Sequence, residues 1–546
     1  MLKTLYTRVF TIRNTEWLIL FVLAVTVIGM PLSRFMMSFG TVGIPIAWII
    51  SGNYAYKWNN LKNNKFLWSI MAIFALNLLW IWRSPDFGRA VLDVIDMLPL
   101  LFFPFVVGSL QLSRKQIFGI LNIFVIAVII STLVSLCVYL GIYVPRKPVA
   151  NYRDISIFVS HIRLGVMCMM SVCYLIYLWY TSDNSLKPWQ KIALAAIVVW
   201  LLYFTTLIQA ATSWVSTMIA AGVLVVVKRN DFRRWQFYGL TAVMIGCVLA
   251  AALYIRGVYT DMAQIRDTAT ELPKLTQQGN PYTHDLKNNF TENGYYVYRY
   301  ICRQELESEW NKRGSICYDS TDLAGQPIRH TLIRYLTSKG LPKDSCGVWQ
   351  LTEKDIAGIE KGFGSCINVE KSGIYRRVYE VIWELKNYQN HNDPNDKSVS
   401  MRIEFFKTGL HIVKKHPWLG SGPGSTKDAF AQAYNETNSP LRADNRFLAH
   451  NQYLTFAITL GLIGLVLVLI CMFAPLFMVK SSDFLLVTFC TIMFVSMLDE
   501  DTLTRQLGCI MFALFYTFAL LLAKQKNREK HNPTAQHDLK TSNIAP

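Results

Sequence analysis

Twelve apolar runs punctuate the chain, near 17–33, 38–56, 66–82, 97–112, 117–144, 157–180, 191–208, 210–227, 237–255, 451–479, 484–498 and 507–523. A bilayer core about 30 Å thick takes roughly 20 residues of helix. A chain inside hydrocarbon must satisfy its own backbone, which helices do within one segment. Hydrophobic residues make up 52% of the sequence, as such a chain requires. The expected fold is an all-α polytopic membrane protein of about 12 transmembrane helices with one large, largely helical extracytoplasmic loop. Residues 1–255 hold spans one to nine, 256–450 the loop, 451–523 spans ten to twelve, and 524–546 a polar tail read as disordered. The opening "MLKTLYTRVFTIRNTEW" has the basic character of a signal peptide. No small-residue cleavage site follows, so it reads as a retained first span.

The net charge of +18 would suggest a nucleic-acid partner in a soluble protein, but its distribution says otherwise. The two ends and alternate short loops ("KWNNLKNNK", "SRKQ", "KPWQK", "KRNDFRRW", "KSSD") carry 20 Lys/Arg and 5 Asp/Glu, an excess that accounts for most of the net charge. Positive residues collect on the cytoplasmic side of membrane proteins. Both termini are therefore expected in the cytoplasm and the large loop outside, with membrane lipids rather than nucleic acid as the surroundings.

Of the eleven cysteines, seven lie in apolar runs, where a thiol behaves as a small hydrophobe. The other four, Cys302, Cys317, Cys346 and Cys366, fall in the large loop. An even number in an oxidising compartment predicts two disulfides. Short closures cost less chain entropy, which favours Cys302–Cys317 and Cys346–Cys366. The same loop has Trp310, Trp349, Trp383 and Trp418 with which to build a small core, and helical patterning in "RRVYEVIWELKNY" and "MRIEFFKTGLHIVKKH".

The stretch "AHNQYLTFAITLGLIGLVLVL", 449–469, opens an apolar run with His450 and Asn451. On a continuous helix, His450, Ala457, Gly461 and Gly464 fall within about 60° of one another. Small residues on one face admit a close-packed neighbour, so the histidine is expected above a tight helix contact. Arg163, in "SIFVSHIRLGVMCMM", is expected about 9 Å inside a span that starts near Ile157; such a charge serves a partner or a substrate. Arg402 opens the helix leading to "HPWLGSGPG". "GSGPGSTK", 420–427, imitates a phosphate loop but lacks the Gly-Lys-Ser/Thr order, and reads as glycine turns after a helix broken by Pro417. His411 and His416, five apart, fall on different helix faces and make no metal site with His450. The "DED" at 499–501 reads as an acidic turn between two spans. No metal or other cofactor is expected.

"HNQYLTFAITLGLIG" (His-Asn, nine residues, Gly, two residues, Gly) resembles the signature of the O-antigen ligase superfamily, bacterial membrane enzymes that handle lipid-linked glycans. "MRIEFFKTGLHIVKKHPWLGSGPGS" is similar to that family's stretch upstream of the histidine. The resemblance implies transfer of a glycan from undecaprenyl diphosphate to an acceptor hydroxyl, on the lipid A core or elsewhere, at the periplasmic face. It implies His450 as catalytic base, Arg402 and Arg163 as diphosphate ligands, and Asn451, Gly461 and Gly464 as supporting residues. Within the family, a polysaccharide polymerase or a protein O-oligosaccharyltransferase is an alternative to the ligase. Outside it, a twelve-span transporter or flippase is the rival. The nine-and-three division of the spans and the scarcity of acidic residues within them weigh against a carrier.

Overall fold

The structure is a computed structural model that describes residues 12–145, 152–181, 186–267, 272–371 and 373–531. Each of the twelve predicted apolar runs is largely helical. Eight described helices are long and apolar enough to cross a membrane, from Phe66–Arg83 to Gln506–Glu529. A ninth is reached if Arg34–Ile50 and Tyr54–Lys62, bent by 117°, count as one span. The remaining three runs form the shorter helices Glu16–Leu32, Ala211–Val227 and Phe484–Ser496, so length and composition do not reach the expected twelve spans. At 1.5 Å per residue, the 13 residues of Phe484–Ser496 span about 20 Å, less than a hydrocarbon core.

The chain divides into two compact units, one of residues up to 145, 153–241 and 392 onward, the other of 146–152 and 242–391. The loop expected as one domain over 256–450 therefore splits, and 392–450 packs with the apolar helices. In that first unit the last helix, Gln506–His531, is the central pillar, with 94% of its apolar window buried. It is hydrophobic all round, as a helix enclosed on every side must be. Phe515 meets Phe124 and Phe489 edge-on, and the Tyr516 hydroxyl donates to the Met472 carbonyl at 2.8 Å. The helix continues past Lys524 to His531, so the start of the expected disordered tail is helical; the rest of the tail lies outside the described residues.

The second unit builds its core around Trp310, fully buried among Leu306, Leu332, Tyr335 and Val348. Its indole N–H donates to the Ile316 carbonyl at 2.8 Å. Trp349 stays exposed, as does Trp418 in the first unit, so of the four loop tryptophans only Trp310 anchors this core. A short hairpin pairs Thr291–Glu292 with Tyr295–Tyr296 through an Asn-Gly turn, the pair that favours left-handed backbone. All four loop cysteines are free thiols, so neither expected disulfide is present. Tertiary contacts override proximity along the chain: the Cys302 backbone N–H donates to the Lys343 carbonyl, while the Cys366 thiol lies against the Ser338 carbonyl.

One buried carboxylate ties this unit together. Glu305 accepts hydrogen bonds from Thr276, Asn280 and both the backbone and hydroxyl of Ser345, at 2.5–3.0 Å. Burial pushes its carboxyl up, but these hydrogen bonds outweigh it and hold the group at about 2, below its ordinary 4.5. A depressed carboxylate stabilises the folded form above its unfolded pKa and loses that contribution as the pH falls through the folded one. Amide protection around 276–280 and 345 in the full chain is thus expected to weaken between about pH 4.5 and 2. Glu305→Gln should lower protection at neutral pH and remove the acid-dependent part. Protection that follows the same pH curve in both proteins would contradict the account.

Candidate active site

The helix Gln452–Val479 is broken. Gly461 has φ +70° and ψ −176°, a conformation that only glycine adopts readily. The break strands backbone groups inside an apolar element, where each would be costly. A loop supplies their partners. Ser421 and Gly422 donate their N–H groups to the carbonyls of Ile458 and Thr459 at 2.8 and 2.9 Å. Leu462 and Ile463 donate to the carbonyls of Pro417 and Trp418 at 2.7 and 3.3 Å. The approach is backbone to backbone: a Cβ on Gly461 would lie 2.2 Å from the Trp418 oxygen, and one on Gly420 would lie 2.5 Å from the Gly461 nitrogen. The expected small-residue face is real, but at Gly461 a wedge of loop fills it rather than another helix. The wedge also accounts for "GSGPGS". Its N–H groups at Ser421, Gly422 and Gly424 are taken up by Ile458, Thr459 and the Asp93 carboxylate, not aimed at a phosphate.

His450 sits just before this helix, not on its face. Its φ is +48°, and Asn451 is the N-cap, its side-chain oxygen accepting from the Leu454 N–H at 2.9 Å. The Asn451 amide donates in turn to the Leu498 carbonyl at 3.0 Å, fastening the helix start to the turn that follows Phe484–Ser496. That turn is "DED". Asp501 accepts from the His450 backbone N–H at 3.0 Å and from the Thr455 hydroxyl at 2.6 Å. The His450 ring packs in a triangle with two phenylalanines, its centroid 5.6 Å from Phe405 and 6.4 Å from Phe447, which are 6.1 Å apart.

Both singled-out arginines reach the same turn. Arg402 lies on Ser398–Lys415, three residues before Phe405, so one helix face presents both toward His450. Its Nη1 is 3.3 Å from Asp499, which also accepts from the Thr212 hydroxyl. Arg163 comes from His161–Thr181, with Nη2 at 3.6 Å from Glu500. It belongs to the first turn of its helix and is a quarter exposed, nearer the helix end than the expected 9 Å depth. A span starting near Ile157 would set Arg163 deeper, but the helix starts at His161. Glu500 is more enclosed than Asp499 or either arginine. Burial pushes its carboxyl up, against the pull of Arg163, His450 and Arg402. The field at Arg163 also includes Asp501, and like charge from Arg34 and Arg505.

The described structure thus brings His450, Asn451, Arg402 and Arg163 together around one acidic turn, with Gly461 at the wedge below. Residues 365–469 match the family model for the O-antigen ligase. The expected family likeness is borne out. The matched segment includes Arg402, His450, Asn451, Gly461 and Gly464, while Arg163 and the acidic turn come from outside it. No curated protein matches the chain. The family match and the apolar helices support a membrane-embedded, glycan-processing protein.

Sequence reading missed the role of Asp499, Glu500 and Asp501, taking them for a plain turn. The available signal was their position: three carboxylates at the end of an apolar helix need counter-ions, and Arg163 and Arg402 had already been singled out. His411 takes no part in this cluster and meets Glu436 at 3.1 Å.

Proposed function

We propose that the chain transfers a glycan from undecaprenyl diphosphate to an acceptor hydroxyl at the periplasmic face of the bacterial inner membrane, joining O-antigen to lipid A core. The observation that carries this reading is the convergence of one histidine and two arginines on a single turn beside the matched family segment. The charge asymmetry of the loops supports placing both termini in the cytoplasm and the large loop outside.

The chemistry divides among the residues. His450 takes the proton of the acceptor hydroxyl; imidazole titrates near neutrality in water, which suits it to this exchange. The hydroxyl oxygen forms a bond to the anomeric carbon as the bond from that carbon to the diphosphate oxygen breaks. The electron pair leaves on the diphosphate, and a single displacement inverts the centre. Each arginine spends one short contact on the acidic turn. A guanidinium has five donors, so the others can hold phosphate oxygens and stabilise the charge that builds as the lipid diphosphate departs. The turn keeps both side chains aimed before the donor arrives. With this charge in place, the reaction calls for no metal.

A strain lacking the protein is expected to accumulate intact lipid-linked polymer and to display bare lipid A core. Core carrying a single repeat would make the protein a polymerase. Unchanged lipopolysaccharide with unglycosylated proteins would make it a protein O-oligosaccharyltransferase. Either result overturns the acceptor assignment.

A further inference from the structure

The second unit, 242–391, contains a groove of about 950 Å³. One wall is a single stripe of the helix Gly373–His391: Trp383, Lys386, Asn387 and Asn390 recur at i, i+3, i+4 and i+7. The neighbouring stripe, with Tyr375, Val378, Tyr379 and Ile382, is the one that packs against Val258, Met262 and Ile367. The helix therefore has two working faces, one for the core and one for the groove. The opposite wall is the segment leading into the hairpin. Two local hydrogen bonds shape it, Lys287 N–H to the Asp285 carboxylate and Phe290 N–H to the Asn288 side chain, both at 3.0 Å. The hairpin then presents Thr291 and Tyr296, which are direct cross-strand partners.

The two aromatic platforms are fixed from behind. The Arg334 guanidinium lies 4.6 Å from the Trp383 ring and is ion-paired at 3.2 Å with buried Glu292. The Arg299 guanidinium lies 3.6 Å from the Tyr296 ring centroid. Neither arginine lines the groove, whereas both rings do, so each lining ring is backed by a cation, and Phe290 packs edge-on to Trp383. Around them stand asparagine amides, which both donate and accept. The charged lining is one aspartate and two lysines, too balanced for a nucleic acid or a lipid phosphate, and the amides are too polar for an acyl chain.

Flat apolar rings ringed by amides and a carboxylate match a ligand with C–H faces and a rim of hydroxyls. We propose that this groove binds an oligosaccharide. Its chemistry stands on these residues; that the sugar belongs to a substrate of the transfer reaction rests on the reading above. The volume lies near the top of the range for small-molecule sites, room for several linked sugars rather than one.

The test uses the full-length protein in detergent, titrated calorimetrically with oligosaccharide released by mild acid from the lipopolysaccharide of the cells that make it. Wild type should bind saturably. Asn289 and Asn390 are exposed, so the double variant Asn289→Ala/Asn390→Ala should fold normally and bind about tenfold or more weakly. Trp383→Ala should bind more weakly still, although it also disturbs Arg334 and Glu292. His450→Ala should bind the free glycan as wild type does. No saturable binding, or equal affinity in wild type and the double variant, overturns the groove even if His450-dependent transfer proceeds. Groove-dependent binding without any transfer would uphold the groove and defeat the transfer reading instead.

Discussion

His450→Ala is expected to leave a folded, membrane-inserted protein whose transfer rate falls by about 10²–10⁴-fold, the usual cost of losing a general base. The structural reason for expecting a clean loss is that His450 contacts the acidic turn through its backbone N–H, which donates to Asp501 and survives substitution. The ring contacts with Phe405 and Phe447 are lost, together with the ring's electrostatic effect on Glu500. Alanine does meet a small second cost, because the residue sits at φ +48°, a region that histidine and asparagine visit more readily than alanine does. His450→Asn separates the effects, since asparagine tolerates that conformation and has no titratable ring. Both variants should be equally inactive, with the asparagine form closer to wild type in thermal stability. Wild-type transfer by either would reduce His450 to an interfacial residue.

Gly461→Ala is expected to destabilise the protein by a few kcal/mol and to remove transfer with it. The backbone conformation alone penalises a side chain by about 1–3 kcal/mol. The new Cβ would also press on the Trp418 carbonyl, which is held by its hydrogen bond to Ile463 and cannot swing aside as a side chain could. Displacing the wedge strands the carbonyls of Ile458 and Thr459 inside an apolar helix. Gly246→Ala provides the comparison, because nothing lies within 4 Å of its Cβ position, and it should be nearly neutral. Thermal unfolding of the purified variants in one detergent decides the matter. Equal midpoints for Gly461→Ala and wild type would contradict the wedge.

Gly461 also shows where the sequence was readable and where it was not. Hydropathy adds up over twenty residues, so the long apolar runs announced their helices, and the His-Asn-Gly-Gly spacing pointed to the right segment. A glycine within an apolar run looks the same whether it admits a neighbouring helix or breaks its own. Only the position of 417–422 in space distinguishes the two, and no local pattern encodes it. The acidic turn was opaque for the same reason. Asp499 and Glu500 are explained by Arg402 and Arg163, which arrive from distant parts of the chain. The cysteines misled because closure entropy favours near neighbours, whereas the fold sets Cys302 beside Lys343.

The central claim is that Arg402 and Arg163 grip a lipid diphosphate while His450 activates the acceptor. Its most direct test measures donor affinity and single-turnover transfer by purified protein in EDTA, using an undecaprenyl-diphosphate glycan and lipid A core. Rates are normalised to folded protein. Wild type should form product without added metal. Arg402→Ala and Arg163→Ala should weaken both donor binding and transfer, and the lysine variants should lose less, since they keep the charge but not the planar fork. Acceptor affinity should hardly move. Unchanged donor affinity in both alanine variants would contradict the diphosphate assignment, even with His450 essential.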